Sequence, residues 1–370
     1  MRNTPVTLNF IILFLLTMTM CRIQAQDATL DLEKVPTKGV SLIWSPLFQA
    51  SWDKINTLQK GKIERVVPPN PEISKLENFD WDKKKVMPKG GYAVYAGPAT
   101  QAFAENTAAS IHREFDVRLE PNRIPEVENG LAAYGILIRE LKFKRSFFRS
   151  EKRPLKFHSG TGEMNEVSFF GTAGKHSANY SGVVQVLTHQ PKTGSFILSI
   201  SAEREEEKLI VYRPEKPVSF QEAFKNVQAA KTEPFEGQKG SATDGSLHRL
   251  DVVMIPYVNL DVQTSFKSTL SGSIYYSEDE LPWRVVKAFQ LTKFELHESG
   301  AKVRVDTGIG MEPFGAPPTP PPVVPRKFIC DAPFFVLMWK SGSDIPYFAL
   351  WVDGFETLTP FSVGHSPARQ

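Results

Sequence analysis

The sequence predicts a mixed α+β protein. Three observations carry this: a few stretches with helical period, two of them opened by a capping residue; a larger number of short apolar or alternating runs bounded by turn residues; and an ordinary globular composition. The chain has 370 residues, of which 41% are hydrophobic and 23% charged, with 44 Lys plus Arg against 41 Asp plus Glu. Such a balance excludes a disordered or collagen-like chain, and its near-neutral charge gives no reason to expect nucleic acid as a partner. Two cysteines exclude a disulfide scaffold and a cysteine-based metal cluster.

Residues 1–25 read as a signal peptide. Arg2 precedes the apolar run Phe10-Ile11-Ile12-Leu13-Phe14-Leu15-Leu16, and Ile23-Gln24-Ala25 offers a cleavage site. The run is shorter than the ~20 residues that span a bilayer. Cys21 as a lipid-carrying residue is the weaker reading, because the bulky Met20 precedes it. Cleavage after Ala25 removes Arg2 and Arg22 and leaves Cys330 as the one thiol. The expectation is one exported domain, 26–370, extracellular or periplasmic according to host, without a membrane-spanning segment.

Ser45-Pro46 reads as a helix start, followed by Leu47, Ala50, Ile55 and Leu58 on one side and ended by Gly61. Residues 62–90 are polar and proline-rich without periodicity. Ala104, Ala108, Ile111 and Phe115 mark a second helix near 100–115. Ser219 and Glu222 form a capping box for a third, with Phe220, Ala223, Phe224 and Val227 apolar. Strands are expected at Val183–Leu187, Phe196–Ile200, Leu209–Tyr212, Asp251–Val262 (interrupted by Pro256) and Phe289–Leu296. Phe334–Met338 and Tyr347–Val352 read as a hairpin across Ser341-Gly342-Ser343-Asp344. Glu233–Gly245 reads as a loop and Glu203–Lys208 as a solvated turn.

Motifs for catalysis, metals and cofactors are missing. The seven histidines are scattered, no Gly-x-Ser-x-Gly elbow occurs, and Gly171-Thr172-Ala173-Gly174-Lys175 lacks the spacing of a phosphate loop. His176 and His189 read as surface or strand histidines, and Cys330 between apolar neighbours as a buried thiol. No enzyme, cofactor or metal is expected. A basic run from Arg139 to Lys156 includes Lys144, Arg145, Arg149 and Arg153. It reads first as a solvated strand edge and second as a polyanion site. Asn179-Tyr180-Ser181 is a glycosylation sequon.

The C-terminal quarter carries the functional reading. Phe294–Gly300 ends a strand in a glycine. Ala301, Val303, Val305, Thr307 and Ile309 then share one side of an alternating segment, with Lys302, Arg304 and Asp306 on the other. Seven prolines between Pro313 and Pro325 forbid a regular central strand and favour an extended, solvated conformation. A strand-competent segment thus runs into an exposed loop, about 301–327, before the chain re-enters the core at Phe328.

This arrangement resembles the serpins. Phe328-Ile329-Cys330-Asp331-Ala332-Pro333-Phe334-Phe335-Val336-Leu337-Met338 is similar to the signature after the serpin reactive loop, with only Ala332 departing. Tyr347–Gly354 resembles the family's last strand, Leu42–Leu47 the start of its second helix, and Phe143–Phe148 with Phe157-His158 the segment where a strand meets an aromatic turn. The resemblance implies helices around a large central sheet with smaller sheets beside it. It also implies a metastable, monomeric native state. Cleavage of the exposed loop lets its first half enter the central sheet and trap an acylated protease. Gly300, Ala301, Val303, Val305 and Thr307 would form the hinge. Counting from Gly300 puts the scissile bond at Phe314-Gly315, which suits a chymotrypsin-like protease; Met311 and Arg326 are further cleavage candidates. Departures are also clear. Val303, Arg304 and Val305 replace a run of small residues, Gln290 replaces a latch histidine, Phe48 replaces a serine, and the loop is long and proline-rich. Residues 60–130 are too few for the family's full set of helices. Two function classes follow: a suicide inhibitor of a serine or cysteine protease, and a non-inhibitory binding or structural module.

Overall fold

The computed structural model describes residues 26–59, 63–232, 245–277, 281–301 and 325–362. The expected leader, Gly61, most of the Glu233–Gly245 loop and the segment 302–324 lie outside the described residues.

The two strongest apolar runs, Phe334–Lys340 and Phe348–Val352, pair antiparallel as the predicted hairpin, with Gly342 at φ 78° in the turn. They form the middle of a seven-stranded sheet. Its order is Gln26–Ala28, Ser41–Trp44, Phe348–Val352, Phe334–Lys340, Glu207–Arg213, Ser195–Ser201, Val184–Gln190. Only the first pair is parallel. Phe335, Leu337 and Trp339 meet Phe220, Phe224 and Val227 of the helix Phe220–Thr232, while Phe334, Val336 and Met338 face the main core. With both faces covered, these strands need unbroken apolar runs rather than alternation. Each fully buried aromatic or aliphatic side chain stabilises by about 1.5–3 kcal/mol.

The three predicted helices are present as Leu47–Leu58, Gln101–Phe115 and Phe220–Thr232. Their caps explain their starts. The Thr100 hydroxyl accepts the Phe103 amide, and the Ser219 hydroxyl accepts the Glu222 amide. Pro46 flanks the first helix instead of opening it, and the Ser45 hydroxyl accepts the Leu47 amide at 3.3 Å.

The region 62–90 holds two short helices that were not expected, Pro71–Glu77 and Lys83–Val86. Both are too short to show a period, but each has a side-chain cap: Asn70 accepts the amides of Glu72 and Ile73, and Asp82 those of Lys84 and Lys85. The antiparallel strands Tyr92–Pro98 and Leu131–Leu137 were also missed. They are rich in Ala and Gly, which are weak strand formers. Close packing requires it: a Cβ on Gly135 would lie 2.6 Å from Ser51 Oγ and 3.0 Å from Leu47 Cγ.

The expected strand Asp251–Val262 is two strands. Val252–Pro256 pairs with Phe169–Thr172 and Lys327–Ile329 in a four-stranded sheet completed by Phe148–Arg149. Beyond Tyr257, Val258–Ser265 pairs with Phe289–Leu296. The expected solvated turn Glu203–Lys208 is corrected at its end: Glu207 opens a strand and is 1% exposed.

Candidate functional site

The strand Phe289–Leu296 delivers the chain to a tight turn. His297 donates its amide to the Gly300 carbonyl at 3.0 Å, and Gly300 donates to the His297 carbonyl at 3.1 Å. The two-residue strand Gly300–Ala301 then pairs antiparallel with Leu141–Lys142, Gly300 opposite Lys142 and Ala301 opposite Leu141. Gly300 therefore has a strand end on each side. Its φ of +120° lies where side chains rarely go, and a Cβ there would sit 2.2 Å from the Leu141 carbonyl oxygen. The turn is tied down at its tip. The Phe143 and Phe147 amides donate to the Ser299 and Glu298 carbonyls at 3.1 and 2.8 Å. The Tyr257 hydroxyl donates to the Glu298 carboxylate, and burial raises the Tyr257 pKa, with that carboxylate adding to the effect.

Strand directions follow from this pairing. Gly300–Ala301 runs opposite to Leu141–Lys142 and opposite to the end of Phe289–Leu296. The two flanking segments thus run the same way, with the hinge reversed between them. Further down, Phe289 packs against the cluster of Ala104, Ile111 and Tyr134, so the helix Gln101–Phe115 covers both flanks. Among the described residues, Leu131–Leu137 and Phe289–Leu296 each pair with a strand along one edge only.

Of the sequence-predicted site, Gly300 and Ala301 lie in this position. Val303, Val305, Thr307, Met311, Phe314 and Gly315 lie outside the described residues. Gln290, at the latch position, is buried and donates to the Thr292 hydroxyl at 3.0 Å, and Phe48 packs edge-on against Phe266.

One member of the basic run departs from the others. Arg139 is withdrawn from it: its guanidinium pairs with the buried Glu207 carboxylate, which also accepts the Tyr347 hydroxyl at 3.0 Å. Hydrogen bonding to Glu207 raises the Arg139 pKa, and burial beside Glu207 raises that of Tyr347. Lys144, Arg145, Arg149 and Arg153 are exposed. Lys144 pairs with Glu205 at 3.4 Å, Arg145 donates to the Asn179 carbonyl at 3.0 Å, and Arg149 lies over the Tyr257 ring.

Arg326 as a cleavage site is overturned in this state. It is 8% exposed, and its guanidinium grips the fully buried Asp251 carboxylate. Its own amide donates to the same carboxylate at 3.0 Å. This buried pair anchors the chain where the loop returns to the four-stranded sheet. Sequence reasoning missed Asp251 and Glu207 because pairing between charges far apart in the chain leaves no local pattern. His189 packs on Phe328, and burial beside Arg326 lowers its pKa. Cys330 is fully buried, which pushes its thiol pKa far up, as an inert core thiol requires. Among the described residues no cluster of three or more His, Cys, Asp or Glu is placed to hold a metal, and no helix is long and apolar enough to cross a membrane.

No protein-family model and no curated protein matches the sequence. Solved structures do match. A thyroxine-binding globulin in complex with thyroxine aligns with a TM-score of 0.51 at 9% identity, over 85% of this chain and 92% of that one. Tengpin, a thermophilic serpin in its native state, aligns with a TM-score of 0.49 at 10% identity, over 88% and 91%. Serpin-12 of Manduca sexta aligns with a TM-score of 0.49 at 13% identity, over 85% and 92%. The fold is serpin-like, with mixed helices and several sheets, as the sequence predicted.

Proposed function

We propose that this protein is an exported inhibitor of a serine or cysteine protease that acts by loop cleavage and strand insertion, consumed in the reaction rather than turning over. The observation that carries the reading is the seat of Gly300–Ala301 between Leu141–Lys142 and the end of Phe289–Leu296. Gly300–Ala301 runs in the direction that a strand added between two like-directed neighbours must take.

Extending the Gly300–Lys142 register places Val305 opposite Leu137, Thr307 opposite Gly135 and Met311 opposite Leu131. The strand Leu131–Leu137 therefore ends two residues short of Pro313, where strand pairing must stop. One face agrees; on the other, Asp306 would lie opposite Ile136, which packs under the helix Gln101–Phe115. Gly135 packs on the helix Leu47–Leu58 and Leu137 on the main core, so Val305 and Thr307 opposite them would be buried. Lys302, Arg304 and Asp306 would fall on the other face. Burying each Val stabilises by about 1.5–3 kcal/mol and each new backbone hydrogen bond by about 1 kcal/mol, which makes insertion favourable once the loop is cut.

In this reading the protease nucleophile attacks the Phe314 carbonyl and releases the Gly315 amine. Insertion then carries the acyl-enzyme away before water hydrolyses it. The test is incubation with chymotrypsin-like proteases. The expected result is a covalent complex that survives denaturing gels and is lost in Phe314→Asp. Clean cleavage without complex would instead favour the binding-module reading, which the bulk of Val303, Arg304 and Val305 supports.

A further inference from the structure

A cleft at the start of the strand Tyr92–Pro98 gathers five lysines. Its volume is about 500 Å³, and Lys54, Lys83, Lys84, Lys89 and Lys340 line it together with Tyr92. They come from four separate places: the helix Leu47–Leu58, the segment around the helix Lys83–Val86, the turn before the strand Tyr92–Pro98, and the end of Phe334–Lys340. The Lys340 ammonium donates to the Lys84 carbonyl at 2.9 Å, which ties two of these elements together at the cleft.

No carboxylate lines the cleft. Among the described residues none of the five lysines has an ion-pair partner. The nearest acids in sequence are already used. Asp53 accepts from the Gln49 amide at 2.7 Å and the Trp81 indole at 3.1 Å. Asp82 caps its own helix through the amides of Lys84 and Lys85. A concave site lined by one sign of charge focuses its field and concentrates counter-charge. This differs from the basic run at 139–156, where Arg139 and Lys144 are paired with carboxylates.

We propose that this cleft binds a compact small molecule carrying several phosphate groups. Ammonium groups are strong point-charge partners for phosphate, and five lysines lining one half-open cleft call for more charge than one phosphate carries. Convergence from four chain segments suits a compact ligand rather than a long polymer lying across a convex surface. Tyr92 offers a half-buried ring at the wall. The site does not depend on loop insertion.

The test is titration calorimetry on the intact protein with inositol hexakisphosphate, inorganic tripolyphosphate and orthophosphate. Saturable binding of at least one of the first two, with orthophosphate at least about 100-fold weaker, is expected. Tighter binding of the inositol phosphate points to an organic ligand; tighter binding of tripolyphosphate points to an inorganic chain. Lys84→Gln and Lys89→Gln should each weaken binding about tenfold. Lys144→Gln, in the other basic run, should leave it unchanged. All are surface changes, and circular dichroism checks that each variant folds. Absence of binding by both polyphosphates, or equal weakening by Lys144→Gln, overturns the proposal.

Discussion

Gly300 stands directly opposite Lys142 while its amide and carbonyl both bond back to His297. One glycine thus joins the end of one strand to the edge of another. The backbone of Leu141 leaves it no room for a side chain.

Gly300→Ala should therefore destabilise the intact protein by about 1–3 kcal/mol, because the new methyl meets the Leu141 carbonyl at a φ that side chains avoid. Chemical denaturation measures this. An unchanged midpoint would mean that the turn relaxes freely and that the hinge is not held between the two strands.

The Arg326–Asp251 pair should behave as a buried charge pair. Asp251→Asn leaves a guanidinium at 8% exposure without its counter-charge and should cost about 3–5 kcal/mol. The double change Asp251→Leu with Arg326→Met should cost less than Asp251→Asn alone. The native protein should also resist an arginine-specific protease at Arg326, which mass spectrometry of the digest reads directly. Rapid cutting after Arg326 would show that the loop's return is not anchored there.

Stability should fall on mild acidification. Burial lowers the pKa of His189, with Arg326 adding to the effect, and burial lowers that of His297 against the pull of Glu298, Glu295 and Glu140. Both stay neutral in the fold at pH values where the unfolded chain, with histidines near 6.5, takes up protons. Their contribution is whole above pH 6.5 and is lost as the pH drops from there toward their folded values. Urea midpoints at pH 7.5 and 5.5 should show the loss, and His189→Gln and His297→Gln should each reduce it. Parallel pH profiles in wild type and both variants would refute the assignment.

Much of this molecule was legible in its sequence, and the reason differs by element. Ser219, Phe220 and Phe224 announced their helix because a cap and an apolar stripe are local signals. Phe334–Met338 announced a buried strand because a sheet covered on both faces needs an unbroken apolar run. Tyr92–Pro98 and Leu131–Leu137 were silent, since Ala93, Ala96, Ala132, Ala133 and Gly135 were set by close packing against a helix and not by strand propensity. The hinge was legible as Gly300 followed by an alternating segment, but its pairing with Lys142 joins residues far apart in the chain. The same distance hid Asp251 behind Arg326 and Glu207 behind Arg139. The lysine cleft was hidden for a related reason: Lys54, Lys84 and Lys340 converge only in the fold.

The most direct test of the central claim is thermal unfolding before and after limited proteolysis within residues 309–327, with Val305→Arg as the companion variant. Insertion predicts a large rise in melting temperature of the wild-type protein after cleavage. It predicts little or no rise in Val305→Arg, where a charge would have to enter the core face. A cleaved wild-type protein that melts where the intact one does, or a Val305→Arg variant that gains as much as wild type, would contradict strand insertion.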